Sequence, residues 1–402
     1  MKFISFVINI KKKISTAKIS FLAVLISGIL VQDSYGQVKH PEVINMVFSS
    51  DAHYGVTRKS FRGDSNVTGT IVNAAMIKQI NSLPNVQIPD DGGVNAGNTI
   101  GPIDFMIQTG DIANRMEPPV QSAAASWAQF ENDYVNGLNV KGHNGLPAKL
   151  LLVPGNHDIS NAIGFPRAMR PLTDQTSMVG IYNMMMKPAI PLTNQTFDYA
   201  KDKINYSFNL KGIHILFITL WPDSAERIWM TKDLDTVNPK TPVMIFTHDQ
   251  PTSEAKHFTN PKAPFKITTD NAFEDLVSEH YKEGYTAAKD DGATDKEQRG
   301  FVAFLKAHPN IKAYFHGNSN WNEYYTYTGP DNDVKLQVFR VDSPMKGKYS
   351  AKDEKQLSFQ LISLEPQSQA LTVRECLWNS SPAKANQKIV FGQSITVSLK
   401  VE

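Results

Sequence analysis

Short runs of apolar and often β-branched residues recur along the chain. Five of these runs are followed immediately by polar residues. Runs of this length and composition are typical of buried β-strands. The five predicted strands cover residues 43–48, 103–107, 149–153, 242–246 and 311–315. Apolar residues near helical spacing predict helices over 70–82, 120–134, 224–234 and 294–307. This alternation favours βαβ units and a largely parallel central sheet.

Other stretches of the chain depart from this alternation. Residues 83–100 and 161–202 are rich in turn formers and are predicted to be long loops that shape access to a site. Further β-like runs follow at 324–327, 334–341, 357–364, 370–374 and 388–401. With no internal repeat and no linker, we expect residues 37–402 to form a single domain. Its core motifs would lie in 43–320, and closing strands in 321–402 would make a β-rich C-terminal end.

The first 36 residues differ in composition from the rest. Five lysines precede an apolar run over 19–31, which is shorter than the roughly 20 residues of a membrane-spanning helix. We therefore predict a signal peptide over 1–36 and an exported protein, periplasmic or extracellular, without a permanent membrane anchor. The single Cys376 excludes an intramolecular disulfide.

The charge of the chain narrows the class of partner. The whole chain has 41 basic and 39 acidic residues, and residues 37–402 alone have 36 and 38. The slight excess of positive charge therefore comes from the predicted signal peptide. No basic stripe remains that would neutralise the phosphates of a nucleic acid, whereas a small phosphorylated substrate needs none.

Side chains that ligate metals stand directly after the predicted strands. Asp51 and His53 follow the first strand, Asp111 the second, Asn156 the third and His248 the fourth. Because the carboxyl ends of parallel strands meet at one edge of a sheet, we expect these groups to lie together. Two adjacent divalent cations repel each other and need a shared anionic ligand, for which Asp111 is the predicted bridge.

The order of these blocks resembles the calcineurin-like metallophosphoesterase superfamily, whose pattern is Asp-X-His, Gly-Asp, Gly-Asn-His-Asp/Glu, His and Gly-His-X-His. The resemblance spans residues 51–320, and its most specific part is Gly155-Asn156-His157-Asp158. It implies a four-layer α/β/β/α sandwich. It also implies that one metal is held by Asp51, His53 and Asp111, and the other by Asp111, Asn156 and His248.

The fifth block, residues 317–320, departs from the family pattern. Asn318 and Asn320 stand where the family has histidines, and the resemblance would assign them to the second and the first metal respectively. An amide oxygen is a weaker and harder ligand than imidazole, so affinity for zinc should fall relative to manganese or magnesium. Gly-Asn-Ser-Asn also consists of turn formers, and ligation and a metal-free turn both stay open. His316 precedes Gly317, and a one-residue slip that makes it a ligand is disfavoured.

Three further residues are candidates for catalysis. The resemblance implies that His157 faces the substrate phosphate and protonates the leaving oxygen or stabilises charge. Asp158 would orient that loop. Arg115, four residues after Asp111, matches the offset of a phosphate-binding arginine in the protein phosphatase branch, and an ordinary surface arginine is the alternative. Asn114 stands where that branch has an aspartate, which weakens this branch assignment.

These observations predict an exported, metal-dependent phosphoric ester hydrolase. It would hydrolyse phosphate mono- or diesters with water activated by two divalent metal ions, from among Mn, Fe, Zn and Mg. The alternative is a catalytically attenuated or inactive protein with the same fold that binds a ligand or a partner. That alternative rests on the two asparagines of the fifth block.

Overall fold

The computed structural model describes residues 42–113, 121–159, 174–199, 201–252, 295–384 and 387–402. The predicted signal peptide, Asn114 and Arg115 lie outside these residues. Residues Pro41–Glu402 cluster as one compact unit. Among the described residues, no helix is both long enough and apolar enough to cross a membrane. The predicted domain boundaries stay a prediction.

The strands of the described residues, in chain order, are β1 Ile44–Ser49, β2 Thr57–Phe61, β3 Asp64–Thr68, β4 Phe105–Gln108, β5 Lys149–Leu152, β6 Tyr206–Leu210, β7 Ile213–Phe217, β8 Val243–Phe246, β9 Ile311–His316, β10 Glu323–Tyr327, β11 Leu336–Arg340, β12 Ser358–Glu365, β13 Ala370–Leu377 and β14 Val390–Ser398. The α-helices are α1 Gly69–Ser82, α2 Ala123–Phe130, α3 Asn156–Ile159, α4 Thr176–Met186, α5 Ser224–Leu234 and α6 Asp295–Ala307. A π-helical turn, Glu131–Asn136, extends α2, and 3-10 turns occupy Leu83–Asn85 and Glu354–Gln356.

Two six-stranded sheets hold most of these strands, in the orders β14-β13-β12-β1-β4-β5 and β10-β11-β9-β8-β7-β6, while β2 and β3 form a separate hairpin. In the first sheet β1, β4 and β5 are parallel, and β12 joins β1 antiparallel. In the second sheet β7, β8, β9 and β11 are parallel. The parallel strands are thus divided between two sheets. The prediction of one largely parallel central sheet, which the alternation of strands and helices favoured, is therefore wrong.

The two sheets pack face to face with helices on their outer sides, so the four-layer α/β/β/α sandwich is confirmed. Successive residues of a strand point to opposite faces. Phe48 of the first sheet accordingly lies edge-on against Phe246 and Phe315 of the second, with ring centroids 5.7 and 5.6 Å apart. Val47 and Ile245 belong to the outer core that the helices cover. The predicted β-rich C-terminal end, residues 321–402, is present as β10 to β14, which follow the core strand β9.

Two predicted loops contain regular structure. Residues 83–100 include a 3-10 turn, and Asp91 in this loop pairs with the buried Arg374 of β13. In the region predicted as loop over 161–202, helix α4 lies against the edge strand β5, where the amide of Leu152 donates to Met185 Sδ. An apolar helix of this kind has no clear 3.6-residue pattern because much of its surface is covered.

Candidate metal centre

Polar residues that follow five parallel strands meet at one edge of the two facing sheets. Asp51 follows β1, Asp111 follows β4 and Asn156 follows β5 in the first sheet, while His248 follows β8 and Asn318 follows β9 in the second. Each strand is buried, so the first freely turning residues lie just beyond its carboxyl end. The structure thus brings together groups from both sheets at one edge, as the positions in the sequence predict.

Left-handed backbone conformations redirect the chain at these strand ends. Asp51, His53 and Asp111 have φ angles of 57°, 44° and 53°, and Asn318 and Asn320 have 57° and 63°. Residues other than glycine seldom adopt positive φ, and such conformations are enriched at functional sites. The strain is more informative for aspartate and histidine than for asparagine, which tolerates this region well.

Backbone hydrogen bonds fix the first two blocks against each other and against the fifth. The amides of Asp51 and His53 donate to the carbonyls of Gly110 and Asp111, at 2.9 and 2.8 Å. The amide of Asn318 donates to Asp51 Oδ2 at 2.9 Å and so links the second sheet to the first. A Cβ atom on Gly317 would collide with the Asp51 carboxylate, which explains a glycine at that close approach.

The Asp111 carboxylate lies between two imidazoles. Asp111 Oδ2 is 3.6 Å from His53 Nε2, and Asp111 Oδ1 is 3.5 Å from His248 Nε2. Beyond the first imidazole, His53 Nε2 lies 3.4 Å from Asp51 Oδ1. Beyond the second, His248 Nε2 lies 3.2 Å from Asn156 Oδ1. Each oxygen of Asp111 therefore faces a different group of donors.

The orientation of the His248 ring suits a metal ligand. Its Nδ1 lies 2.6 Å from the carbonyl oxygen of Thr109, to which it donates, so Nε2 is directed at Asp111 and Asn156. Metal-bound histidines commonly donate their second ring N–H to a backbone carbonyl in this way. Ligand atoms of Asp51, Asp111 and His248 all lie within 4.8 Å of one another, and the three residues are buried.

Burial and mutual charge shift the pKa values of this cluster strongly. Burial raises the pKa of Asp111 to about 6, with the Asp51 carboxylate adding to it. Burial opposes charging of His248, but the carboxylates of Asp111 and Asp51 outweigh it and raise its pKa to about 9. Burial is likewise the chief influence that lowers the pKa of His53 to about 3. An imidazolium at His248 thus balances the carboxylates, in the place where a bound cation would do so.

Several atoms of the cluster accept or donate no hydrogen bond within the described part of the chain. These atoms are buried, and they are Asp51 Oδ1, both ring nitrogens of His53 and Asn320 Oδ1. Buried polar atoms are nearly always partnered, so such a concentration requires an explanation. Carboxylate, imidazole and amide donors together suit a divalent cation. The residues present therefore fit a metal centre.

His157 and Asp158 occupy the short helix α3 beside Asp111. The amide of His157 donates to Asp111 Oδ1 at 2.9 Å, and its Nε2 lies 3.9 Å from Asp111 Oδ2. Its ring meets that of His53 edge-on, with centroids 5.4 Å apart. His157 thus lies at the His53 side of the cluster.

Asp158 is fully buried and accepts hydrogen bonds from three backbone amides. These belong to Gly155, Ile112 and Ala113, at 3.0, 3.0 and 3.3 Å. Burial, together with the Asp111 carboxylate, raises the pKa of Asp158 to about 7. Its geometry is that of a positioning residue, because it joins the loop after β4 to the loop after β5.

Asp158→Ala is expected to lower the free energy of unfolding of the metal-free protein by about 3 kcal/mol, since it leaves buried N–H donors unsatisfied. Urea unfolding in EDTA measures this loss without a contribution from metal. Asp90→Ala, at an exposed aspartate of the 83–100 loop, is the matched control and should stay within about 0.5 kcal/mol of wild type. Equal stabilities of the two variants would contradict the positioning role.

The fifth block keeps both of its interpretations. Asn318 Nδ2 and Ser319 Oγ donate to Gln250 Oε1 at 3.2 and 3.1 Å, contacts that a turn without metal can make. Asn320 Nδ2 donates to the carbonyl of Asn318, while its Oδ1 is one of the buried atoms named above. His316 points elsewhere, with Nδ1 2.9 Å from the Gly317 carbonyl and Nε2 3.2 Å from the Tyr325 hydroxyl. The structure therefore gives no support to the slip.

A sixth strand end, outside the five predicted blocks, reaches the same edge. Strand β11 runs parallel to β9, and the chain continues into Asp342 and Ser343. The Ser343 hydroxyl donates to the carbonyl of Asp51 at 2.9 Å. Lys346, three residues on, lowers the pKa of His53 through its charge. The available signal was the β-like run 334–341, in which apolar and polar residues are interleaved, followed by Asp342 and Ser343 at the strand end.

A buried aspartate and histidine cluster at the carboxyl edge of an α/β/β/α sandwich is characteristic of metal-dependent phosphoesterases. The model of the calcineurin-like phosphoesterase family matches residues 47–278, and the chain belongs to this family. The membership predicted from the blocks is thus confirmed. No curated protein matches the chain.

Solved structures similar to this chain include a dimetal phosphatase from Danio rerio, with a TM-score of 0.47 and 9% identity over 89% of this chain and 99% of that one. Vps29 from Chaetomium thermophilum has a TM-score of 0.33 and 10% identity, over 89% and 97% of the two chains.

Proposed function

We propose that the protein is an exported phosphoesterase that hydrolyses phosphate mono- or diesters with the help of two divalent cations. The observation that carries this proposal is the position of Asp111, whose two oxygens face two separate imidazoles at 3.6 and 3.5 Å. A carboxylate between two sets of donors is the arrangement that a pair of cations needs, because one anion then offsets the repulsion between them.

The two donor sets share Asp111. In this proposal, one cation is held by Asp51, His53, Asp111 and Asn320, and the other by Asp111, Asn156, His248 and Asn318. Two divalent cations, when bound, lower the pKa of a water molecule and offset the charge of a phosphate. Oxygen donors outnumber nitrogen donors in both sets, so manganese or magnesium should suit them better than zinc.

The side chains of the protein supply the remaining functions. His157 lies beside Asp111 and is the candidate to bind the phosphate or to pass a proton to the leaving oxygen. Asp158 would hold the His157 helix against the Asp111 loop through its three amide contacts. Burial of the cluster keeps bulk water away from these charges and so strengthens their interactions.

Export and the class of substrate rest on the sequence alone. The lysines and the apolar run within residues 1–36 support a signal peptide. Near-neutral charge without a basic stripe supports a small phosphorylated substrate. The competing proposal, an attenuated or inactive binding protein, is favoured by Asn318 and Asn320 in place of the two family histidines.

Turnover of p-nitrophenyl phosphate and of its bis-ester tests the proposal. Protein stripped with EDTA should be inactive, and manganese or magnesium should restore more activity than zinc does. Elemental analysis should give two metal ions per chain. Binding of two ions without turnover of either ester, with any of the metals, would exclude the hydrolase and support the binding protein. Binding of a single ion would contradict the bridging arrangement.

A further inference from the structure

The turn after β11, residues 342–350, is attached to the candidate metal centre at two points. Near its start, the Ser343 hydroxyl donates to the carbonyl of Asp51 at 2.9 Å. Further along, the amide of Lys348 donates to the carbonyl of Asn320 at 2.6 Å. The 342–350 turn thus borders both the first and the fifth block, and Lys346 lies between its two attachments.

Hydrogen bonds within the 342–350 turn, and others from the side chain of Arg58, hold the turn in one conformation. The buried Arg58 guanidinium donates to the carbonyl of Pro344 at 3.0 Å and to that of Ser350. The amide of Lys346 donates at 2.9 Å to the same Ser343 hydroxyl that bonds to Asp51. A Cβ on Gly347 would collide with the side chains of Ser350 and Asp342, so the turn is tightly closed. The backbone of Lys346 is therefore fixed relative to Asp51.

The side chain of Lys346 is exposed, yet its charge acts on the centre. After burial, it is the largest influence that lowers the pKa of His53. It also opposes the rise in the pKa of Asp111. The two attachments of the turn hold the backbone of Lys346 beside the first and the fifth block, so its ammonium group is carried at the border of the cluster. The ammonium group of Lys348, two residues on, lies over the Trp321 ring, 4.0 Å from the centroid.

From this geometry we infer that Lys346 binds the substrate phosphate and makes the enzyme prefer phosphate monoesters to diesters. The inference rests on the proposed function and names the substrate class of that site. A monoester phosphate carries close to two negative charges and three terminal oxygens at neutral pH. A diester has one charge and two such oxygens. When two oxygens face the cations, only the monoester keeps a charged third oxygen for a nearby ammonium group, and lysine is a common phosphate ligand.

Lys346→Met tests the inference, because it removes the charge and keeps a similar chain length. We expect kcat/KM for p-nitrophenyl phosphate to fall about 10- to 100-fold, the range for loss of a hydrogen bond to a charged group. The value for the bis-ester should change by no more than about twofold, since no equivalent oxygen is lost. Lys346→Arg should recover most of the monoester activity. Lys352→Met, an exposed lysine beyond the 342–350 turn, is the matched control and should match wild type with both esters.

Calorimetry with inorganic phosphate gives a second measurement that needs no turnover. The Kd of the manganese-loaded protein for phosphate should rise about tenfold or more in Lys346→Met and stay unchanged in Lys352→Met. Thermal unfolding in EDTA should be the same for both variants. Equal losses with the two esters, or an unchanged phosphate Kd, would overturn the inference. If the wild-type protein turns over neither ester, the proposed function fails, and the phosphate Kd alone decides the role of Lys346.

Discussion

Asp111→Asn is expected to lower kcat/KM for p-nitrophenyl phosphate by more than about a hundredfold, the upper end of the loss seen when partners outside the ligand shell are removed. The asparagine side chain has only one oxygen, so it cannot offer one oxygen to the cation beside His53 and another to the cation beside His248. It also has no negative charge to offset the repulsion between two cations. Turnover with saturating manganese and the number of metal ions per chain measure the effect. We expect fewer than two ions in the variant.

Asp104→Asn is a matched control for this substitution. Asp104 directly precedes β4, whose other end leads to Asp111, and its carboxylate is paired with His143 at 2.9 Å. Asp104→Asn makes the same chemical change at the opposite end of β4 from Asp111. This variant should keep wild-type turnover and two metal ions per chain. Thermal unfolding in EDTA should show both variants folded. If Asp111→Asn retains turnover and two ions, Asp111 is not the bridge.

The strands and their polar ends could be predicted because the signals are local. A buried strand needs a short apolar run, and the residues just after it are the first that reach solvent or a ligand. Helix α5 has the bounds that the spacing of its apolar residues predicts, and Asp223 caps its start by accepting hydrogen bonds from the amides of Ala225 and Glu226. Such signals are contained in a few neighbouring residues.

The arrangement of the strands in two sheets could not be predicted from local pattern. Strand β12 lies beside β1, and the contact between Ser363 and Asn45 joins positions 318 residues apart. Nothing in the β1 sequence specifies that neighbour, because apolar strands pair wherever their buried faces match. Only the family resemblance supplied the four layers.

The site followed the same division. Asp51, His53 and Asp111 were predicted because few side chains ligate metals and they stand at strand ends. Ser343 was missed because serine is a common residue and its link to the site is a hydrogen bond to the distant carbonyl of Asp51. Lys346 was missed because its proposed role depends on a turn that is held through Ser343. Arg115, predicted as a phosphate ligand, lies outside the described residues and stays a prediction.

Replacing both Asn318 and Asn320 with histidine is expected to tighten zinc binding by about a hundredfold or more, if each ligand change is worth about 10- to 100-fold. Imidazole is the better zinc ligand, so preference should also shift from manganese towards zinc. Titration of stripped protein with zinc and with manganese measures both effects. The left-handed backbone at these positions costs a histidine roughly 1 to 2 kcal/mol, a cost that His53 already bears at a φ of 44°.

The single variants separate the two asparagines. Asn320→His should account for more of the gain in zinc affinity. Asn320 Oδ1 is buried without a hydrogen bond from the described residues, whereas the side-chain Nδ2 of Asn318 donates to Gln250. Ser319→His, between them, is the control for an added imidazole that is not at a ligand position. If Ser319→His tightens zinc as much as the double variant, or if no variant changes the preference, the fifth block is a turn. The protein would then hold its metals with the first four blocks alone.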